Sequence, residues 1–261
     1  MAESCKNLLG LLISRYFRLP GLSIFLFALI ACEDQPKQVA SVEAGAIFKK
    51  VDSETSGIKF RNPINENAAF NLFKWKYIYN GAGVAVGDIN HDGLSDIYFV
   101  ANTGPNKLYI NQGKLQFKDM TGEMGLTAMS GYQTGVSMVD LNGDNLLDIF
   151  ICRDADPNPN FRNNLIYLNN GDSTFASSNA EMGMLDQSYT TQALFIDYDR
   201  DNDLDVFLIN HPADFDNSIK LKVKRKPDGS VRRDTAPTTP YSGHKLYEFE
   251  AGKYTEVTGE M

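Results

Sequence analysis

One pattern, used three times, decides most of what this chain can fold into. It reads GVAVGD, INHDGLSD, IYFV over residues 83–100, then GVSMVD, LNGDNLLD, IFIC over 135–152, then QALFID, YDRDNDLD, VFLI over 192–209. Each copy is an apolar run, an acidic loop and a second apolar run, with the loops opening at Asp88, Asp140 and Asp197. Self-similarity at a period of roughly fifty residues is the mark of a repeat architecture in which each unit buries its apolar face against the next. Runs of four to eight β-branched and aromatic residues bounded by turn residues read as strands.

The remainder of each repeat follows the same plan. Asn106-Lys107-Leu108-Tyr109, Asn164-Leu165-Ile166-Tyr167 and His244-Lys245-Leu246-Tyr247 align, each followed by a turn glycine (Gly113, Gly171, Gly252) and an aromatic (Phe117, Phe175, Tyr254). Four short strands per repeat are therefore expected, giving an all-β fold of four-stranded antiparallel blades. The aligned aromatics are assigned to packing between blades. Phe48 to Ile58 resembles Phe117 to Leu126, so it is expected to be the last strand of a blade, and TEVTGEM at the end matches the point just before another loop. An insert at about 212–243 interrupts the third repeat, with the basic run KLKVKRKPDGSVRR and a hairpin turn expected at Pro227-Asp228-Gly229.

The acidic loops are the candidate metal sites. Oxygen-bearing side chains stand at positions 1, 3, 5 and 9: Asp88, Asn90, Asp92 and Asp96; Asp140, Asn142, Asp144 and Asp148; Asp197, Asp199, Asp201 and Asp205. Alternation lets a curling chain point every second side chain inward, and position 7 (Leu94, Leu146, Asp203) offers a backbone carbonyl. Position 6 holds Gly93, Asn145 and Asn202, the residue types that best tolerate the positive φ of a sharp turn. Hard oxygen ligands on a flexible loop suit Ca2+ better than Mg2+, which demands a strict octahedron and keeps its waters. The loops lack the bidentate Glu at position 12 and the flanking helices of an EF-hand, so they read as strand-loop-strand sites for about three Ca2+ ions.

The formal charge of -8 is bunched in these loops, and three divalent cations would offset most of it. Nothing basic enough for nucleic acid is present outside the insert. Of the three histidines, His91 and His244 carry no catalytic pattern and His211 reads as a surface residue; no acid/base pair or nucleophile motif emerges. The 32 N-terminal residues read differently from the rest: Lys6, Arg15 and Arg18 precede an apolar run, Leu22 to Ile30, too short to span a membrane. Leu29-Ile30-Ala31-Cys32 resembles the lipobox of bacterial lipoproteins, which implies cleavage before Cys32 and lipid attachment to it. The expected organisation is a signal peptide over 1–31, a lipid-anchored tether over 32–42 and the repeat domain over 43–261. The anchor implies a surface or outer-membrane lipoprotein of a Gram-negative bacterium. Cys152 is left without a disulfide partner.

The loops preceded by GVAVGD and followed by IYFV resemble FG-GAP or VCBS repeats. More narrowly, YNGAGVAVGDINHDGLSDIYF, NKLYINQG, STFASSNAEMGM and TTQALFIDYDRDNDLDVFLINH resemble bacterial relatives of cartilage acidic protein, the ASPIC/UnbV-type family. The resemblance implies an incomplete, integrin-like and nominally seven-bladed β-propeller, of which this chain supplies about three to four blades, with C-terminal blades and an ASPIC/UnbV segment outside it. It also implies a binding or adhesion module for a glycan or protein ligand at the cell surface. The alternative expectation is the propeller portion of an extracellular polysaccharide-processing enzyme such as a lyase.

Overall fold

The computed structural model describes residues 47–68, 70–127, 131–156, 158–212, 223–233 and 243–260. The chain divides after Lys50 into two units, and residues 47–50, the described part of the first, are exposed. The expected signal peptide, Cys32 and the tether lie outside the described residues. Everything below concerns the second unit.

Three sheets follow one another, each of four antiparallel strands. The first contains β1 (Val84–Gly87), β2 (Asp96–Phe99), β3 (Lys107–Asn111) and β4 (Phe117–Asp119). The second contains β5 (Tyr132–Val139), β6 (Asp148–Asp154), β7 (Leu165–Asn169) and β8 (Phe175–Ser177). The third joins β9 (Thr190–Ile196) and β10 (Asp205–Asn210) to β13 (Lys245–Glu250) and β14 (Lys253–Glu256). Between β10 and β13 a separate hairpin, β11 (Val223–Arg225) with β12 (Val231–Arg233), turns at Gly229, whose φ is 82°. Each sheet is a meander with the shared registers Gly87↔Asp96, Val139↔Asp148 and Ile196↔Asp205 across the acidic loop. These are three blades of an incomplete integrin-like β-propeller.

The alternation of side chains along a strand explains the packing. Every residue of β6 is buried, because the middle blade is covered on both faces. Ile149 and Ile151 join Tyr98, Val100 and Leu108 in the core between the first two blades, while Phe150 and Cys152 join Ala193, Val206 and Leu208 in the core between the second and third. Tyr109, Tyr167 and Tyr247 are buried, as expected for packing aromatics. On the first blade's other face Val84 and Val86 are exposed, and Phe60 stacks on Phe99 with ring centroids 4.8 Å apart.

A second device repeats beside the strands. Gly57, Gly125 and Gly183, with φ of 76°, 79° and 73°, each press their backbone against the outer strand of the following blade; an added Cβ would stand 2.5, 3.4 and 2.7 Å from the carbonyl oxygens of Phe117, Phe175 and Tyr254. The amides of Phe175 and Tyr254 donate back to Met124 and Met182. Gly57 ends a helical turn, α1 (Ser53–Ser56), capped by the Asp52 carboxylate, which accepts from the Thr55 amide at 2.7 Å. The resemblance of 48–58 to 117–126 thus holds for the turn. The strand expected before that turn is not formed: residues 48–51 are exposed and without regular structure.

Candidate metal centre

Each acidic loop joins the innermost strand of its blade to the next, and each folds upon its own side chains. In the first, Asp88 accepts from the amides of Asp92 (3.0 Å) and Gly93 (2.8 Å), and Asn90 Oδ1 also accepts from Asp92 N–H at 3.1 Å. In the second, Asp140 accepts from Gly143, Asp144 and Asn145, and Asn142 from Asp144. In the third, Asp197 and Asp199 share the Asp201 amide at 3.1 and 3.3 Å. The expected sharp turn is present: φ is 83° at Gly93, 66° at Asn145 and 75° at Asn202. At position 7 the amides of Leu94, Leu146 and Asp203 donate to the side chains of Asp92, Asp144 and Asp201 at 2.8, 2.8 and 3.1 Å.

Position 9 has a role the sequence did not reveal. Asp96, Asp148 and Asp205 are wholly buried at the first residue of β2, β6 and β10. One oxygen of each accepts from the loop, from Ile89 (3.0 Å), Leu141 (2.9 Å) and Tyr198 (3.0 Å). The other accepts from the third strand, from Asn111 (2.7 Å), Asn169 (2.8 Å) and Phe249 (3.0 Å). Each carboxylate therefore pins its loop to the body of the blade while facing the other loop carboxylates.

Burial and crowding show in the acidities. Burial pushes Asp96 up, and the charges of Asp92 and Asp88 add to it against the two backbone N–H donors. Burial, followed by Asp144 and Asp140, carries Asp148 up to about 6. In the third loop burial and the Asp201 charge raise Asp203 to about 6, and Asp199 is raised as well.

The carboxylate oxygens of Asp197, Asp199 and Asp205 lie within 4.8 Å of one another. Asp201 stands outside that trio, and Asp203, expected to offer only its carbonyl, holds a buried Oδ1 with no hydrogen-bond partner among the described residues. In the first two loops Asn90 and Asn142 take the position of Asp199 and donate to Asp92 and Asp144 at 3.0 and 2.9 Å. Convergent hard oxygens, raised carboxyl pKa values and an orphaned buried oxygen all fit a divalent cation.

Sequence reasoning also missed a polar cluster at the other end of the inner strands. Asp154, the last residue of β6, meets His211, just past β10, with Oδ2 2.8 Å from Nε2 and side-chain exposures of 2% and 16%. His211 is thus not the surface residue expected: the neighbouring blade supplies its partner, and Tyr77 and Tyr189 flank its ring at 5.0 and 5.6 Å. The aromatic run Phe73-Lys74-Trp75-Lys76-Tyr77-Ile78-Tyr79 was the sequence signal for this region.

The fold and loops define a class: an FG-GAP repeat protein of propeller type. The model of the FG-GAP-like repeat matches residues 88–151 and again 140–208. Among named relatives, the chain is similar to cartilage acidic protein 1 of Xenopus tropicalis, 29% identical over 161 residues, which is 62% of this chain and 24% of that protein. The Homo sapiens protein of the same name is 29% identical over 136 residues, 49% of this chain and 20% of its own length. Integrin alpha-V of Gallus gallus is 31% identical over 121 residues, 44% and 11%. The chain spans about a quarter or less of the length of these relatives.

Proposed function

We propose that this chain is a calcium-stiffened propeller that serves as a binding or adhesion module, exported and tethered to the membrane through lipid on Cys32, with a glycan or protein as ligand. The observation that carries the calcium reading is the threefold recurrence of one loop, with side-chain oxygens at positions 1, 3 and 5 and a wholly buried aspartate at position 9, whose oxygen in the third loop converges with those of positions 1 and 3. One such loop would be a polar turn; three in register gather side-chain oxygens whose repulsion a counter-ion would relieve.

Asp88, Asn90, Asp92 and Asp96, with their counterparts in the other two loops and the position-7 carbonyls, would hold the ions. A bound Ca2+ supplies charge neutralisation and a rigid cross-link within each hairpin, and its affinity adds to folding stability by mass action. The likeness to an integrin chain supports a binding role. Among the described residues no helix is long and apolar enough to cross a membrane.

The test is thermal unfolding of the full chain in calcium, magnesium and chelator, with calorimetric titration of sites. A calcium-specific rise in melting temperature with about three sites is expected. Identical melting in calcium and chelator would overturn the metal reading. Mass spectrometry of the membrane-associated protein tests the anchor: a diacylated or triacylated cysteine at residue 32 is expected, and an unmodified N-terminus upstream of it would refute it.

A further inference from the structure

A cleft of about 270 Å³ opens at the end of the blades opposite to the acidic loops, and nothing in the calcium reading uses it. Tyr77, Asn80, Tyr132, Thr134, Asp154 and Gln192 line it together with backbone of residues 81–83. Thr134 is six residues before Asp140 on β5, roughly 20 Å along an extended strand, so the cleft and the metal loops occupy separate ends of the same inner strands.

Its electrostatics restrict what can enter. Among the described residues no lysine or arginine side chain lines the cleft, so those walls offer an anionic group no such counter-charge. Asp154, the one carboxylate among the described lining residues, is already matched. His211 Nδ1 lies 3.0 Å from the Pro212 carbonyl oxygen, an acceptor only, and Nε2 lies 2.8 Å from the Asp154 carboxylate. Both ring nitrogens therefore face acceptors, which favours a proton on each, and with both protons in place the pair is neutral as a unit. A cationic ligand thus meets no net negative charge. An imidazolium also has no lone pair with which to take a proton from a substrate.

What remains is a neutral cleft with aromatic walls and hydrogen-bonding groups. Tyr77 belongs to a ring series that runs through His211 and Tyr189 to Trp75, with centroid separations of 5.0, 5.6 and 6.1 Å, and Arg162 caps Tyr189 at 4.4 Å. The Tyr132 hydroxyl donates to the Ile78 carbonyl and Thr134 to the Thr190 carbonyl, which fixes both walls. Asn80 is exposed at the rim, and Phe73 and Tyr79 on the same segment are 95% and 59% exposed. Pockets that bind small molecules combine apolar walls with a few convergent polar groups, and this volume lies just under the usual range of about 300–1,000 Å³. A single ring-sized ligand matches it.

We propose that this cleft is a subsite for a neutral saccharide, one sugar ring lying against Tyr77 with its hydroxyls toward Asn80, Gln192 and the backbone carbonyls. The proposal deepens the binding-module reading by naming the ligand class and rests on it. The test uses the full chain in calcium, with Trp75, the only tryptophan in the sequence, as the fluorescent reporter and calorimetry alongside. Neutral gluco-, manno-, galacto- and xylo-oligosaccharides are compared with an oligogalacturonate and an arginine-containing peptide. Saturable binding of at least one neutral series in the millimolar range or tighter is expected, weakened at least tenfold by Tyr77→Ala, preserved in Tyr77→Phe and reduced by Asn80→Ala, whose exposed side chain can be removed without loss of the fold. Silence of every neutral series, preference for the acidic or basic comparator, or neutral binding that survives both Tyr77→Ala and Asn80→Ala would overturn it. Calcium-dependent melting without sugar binding would sink this subsite alone, whereas sugar binding without a calcium effect on melting would sink the metal reading alone.

Discussion

Asp148 sits where a loop, two strands and two other carboxyl-bearing side chains meet, and its acidity exposes the logic of the site. Burial, helped by Asp144 and Asp140, holds its pKa near 6 against a free value of 3.8. The metal-free fold thus binds this proton more tightly than the unfolded chain does, so that contribution to stability is fully present below pH 3.8 and lost as pH rises through about 6. Calcium needs the ionised carboxylate and gains as the proton leaves. The gap in melting temperature between calcium and chelator should therefore widen from pH 5 to pH 7; a gap independent of pH would contradict the assignment. His211 carries the same sign for a different reason. Burial alone lowers its pKa, but the hydrogen bond and charge of Asp154 outweigh this and raise it above 6.5. Its contribution is complete below pH 6.5 and disappears as pH rises through the folded value. In saturating calcium, Asp154→Asn should cost about 1–3 kcal/mol near pH 6 and flatten the remaining loss of stability as pH rises above 6.5, measured by denaturant unfolding. The loop residues were legible in the sequence because their ligands are local, spaced two apart on one curling segment. The Asp154–His211 pair was not, because its members stand 57 residues apart and only the packing of one blade on the next brings them together.

The strand elements were readable for the same reason as the loops. VAVG, DIYF and DIFICRD are short apolar runs bounded by aspartates, and the register they imply is the one found. What escaped was the glycine contact between blades, since Gly125 and Gly183 in sequence look like ordinary turn residues and only their approach to Phe175 and Tyr254 distinguishes them. The likeness of 48–58 to 117–126 carried the right turn but predicted a strand that does not form over 48–51. A comparison of two glycines separates conformational cost from contact. Gly113, at φ 82°, has nothing within 4 Å of an added Cβ, whereas Gly183, at φ 73°, would place that atom 2.7 Å from the Tyr254 oxygen. Gly113→Ala should cost about 1 kcal/mol for the left-handed backbone alone. Gly183→Ala should cost more, about 2–4 kcal/mol, because the carbonyl is backbone and the blades must shift apart. Equal losses in chemical denaturation would mean that the interblade contact carries no energy.

Across the whole repeat unit, stability is set by which blade has neighbours on both faces. The side chains of β6 feed both cores in alternation, Ile149 and Ile151 on one side and Phe150 and Cys152 on the other, so the middle blade cannot open without uncovering both its neighbours. The outer faces of the first and third blades are less covered: Val84 and Val86 are 55% and 61% exposed, and Leu194 and Ile196 are 48% and 47% exposed. In repeat architectures stability is close to a sum of unit and interface contributions, and opening starts from the least covered unit. Phe150→Ala should therefore cost about 3–5 kcal/mol, whereas Val86→Ala should stay within about 0.5 kcal/mol. Native-state hydrogen exchange reads the same gradient without mutation. The amides of Phe150, Ile151 and Cys152 should exchange slowest, those of β1 and β9 faster, and calcium should slow exchange in all three loop hairpins by stabilising each locally. Uniform protection across the blades would mean that they open as one cooperative body; fastest exchange in β6 would mean that the two cores do not depend on the middle blade at all.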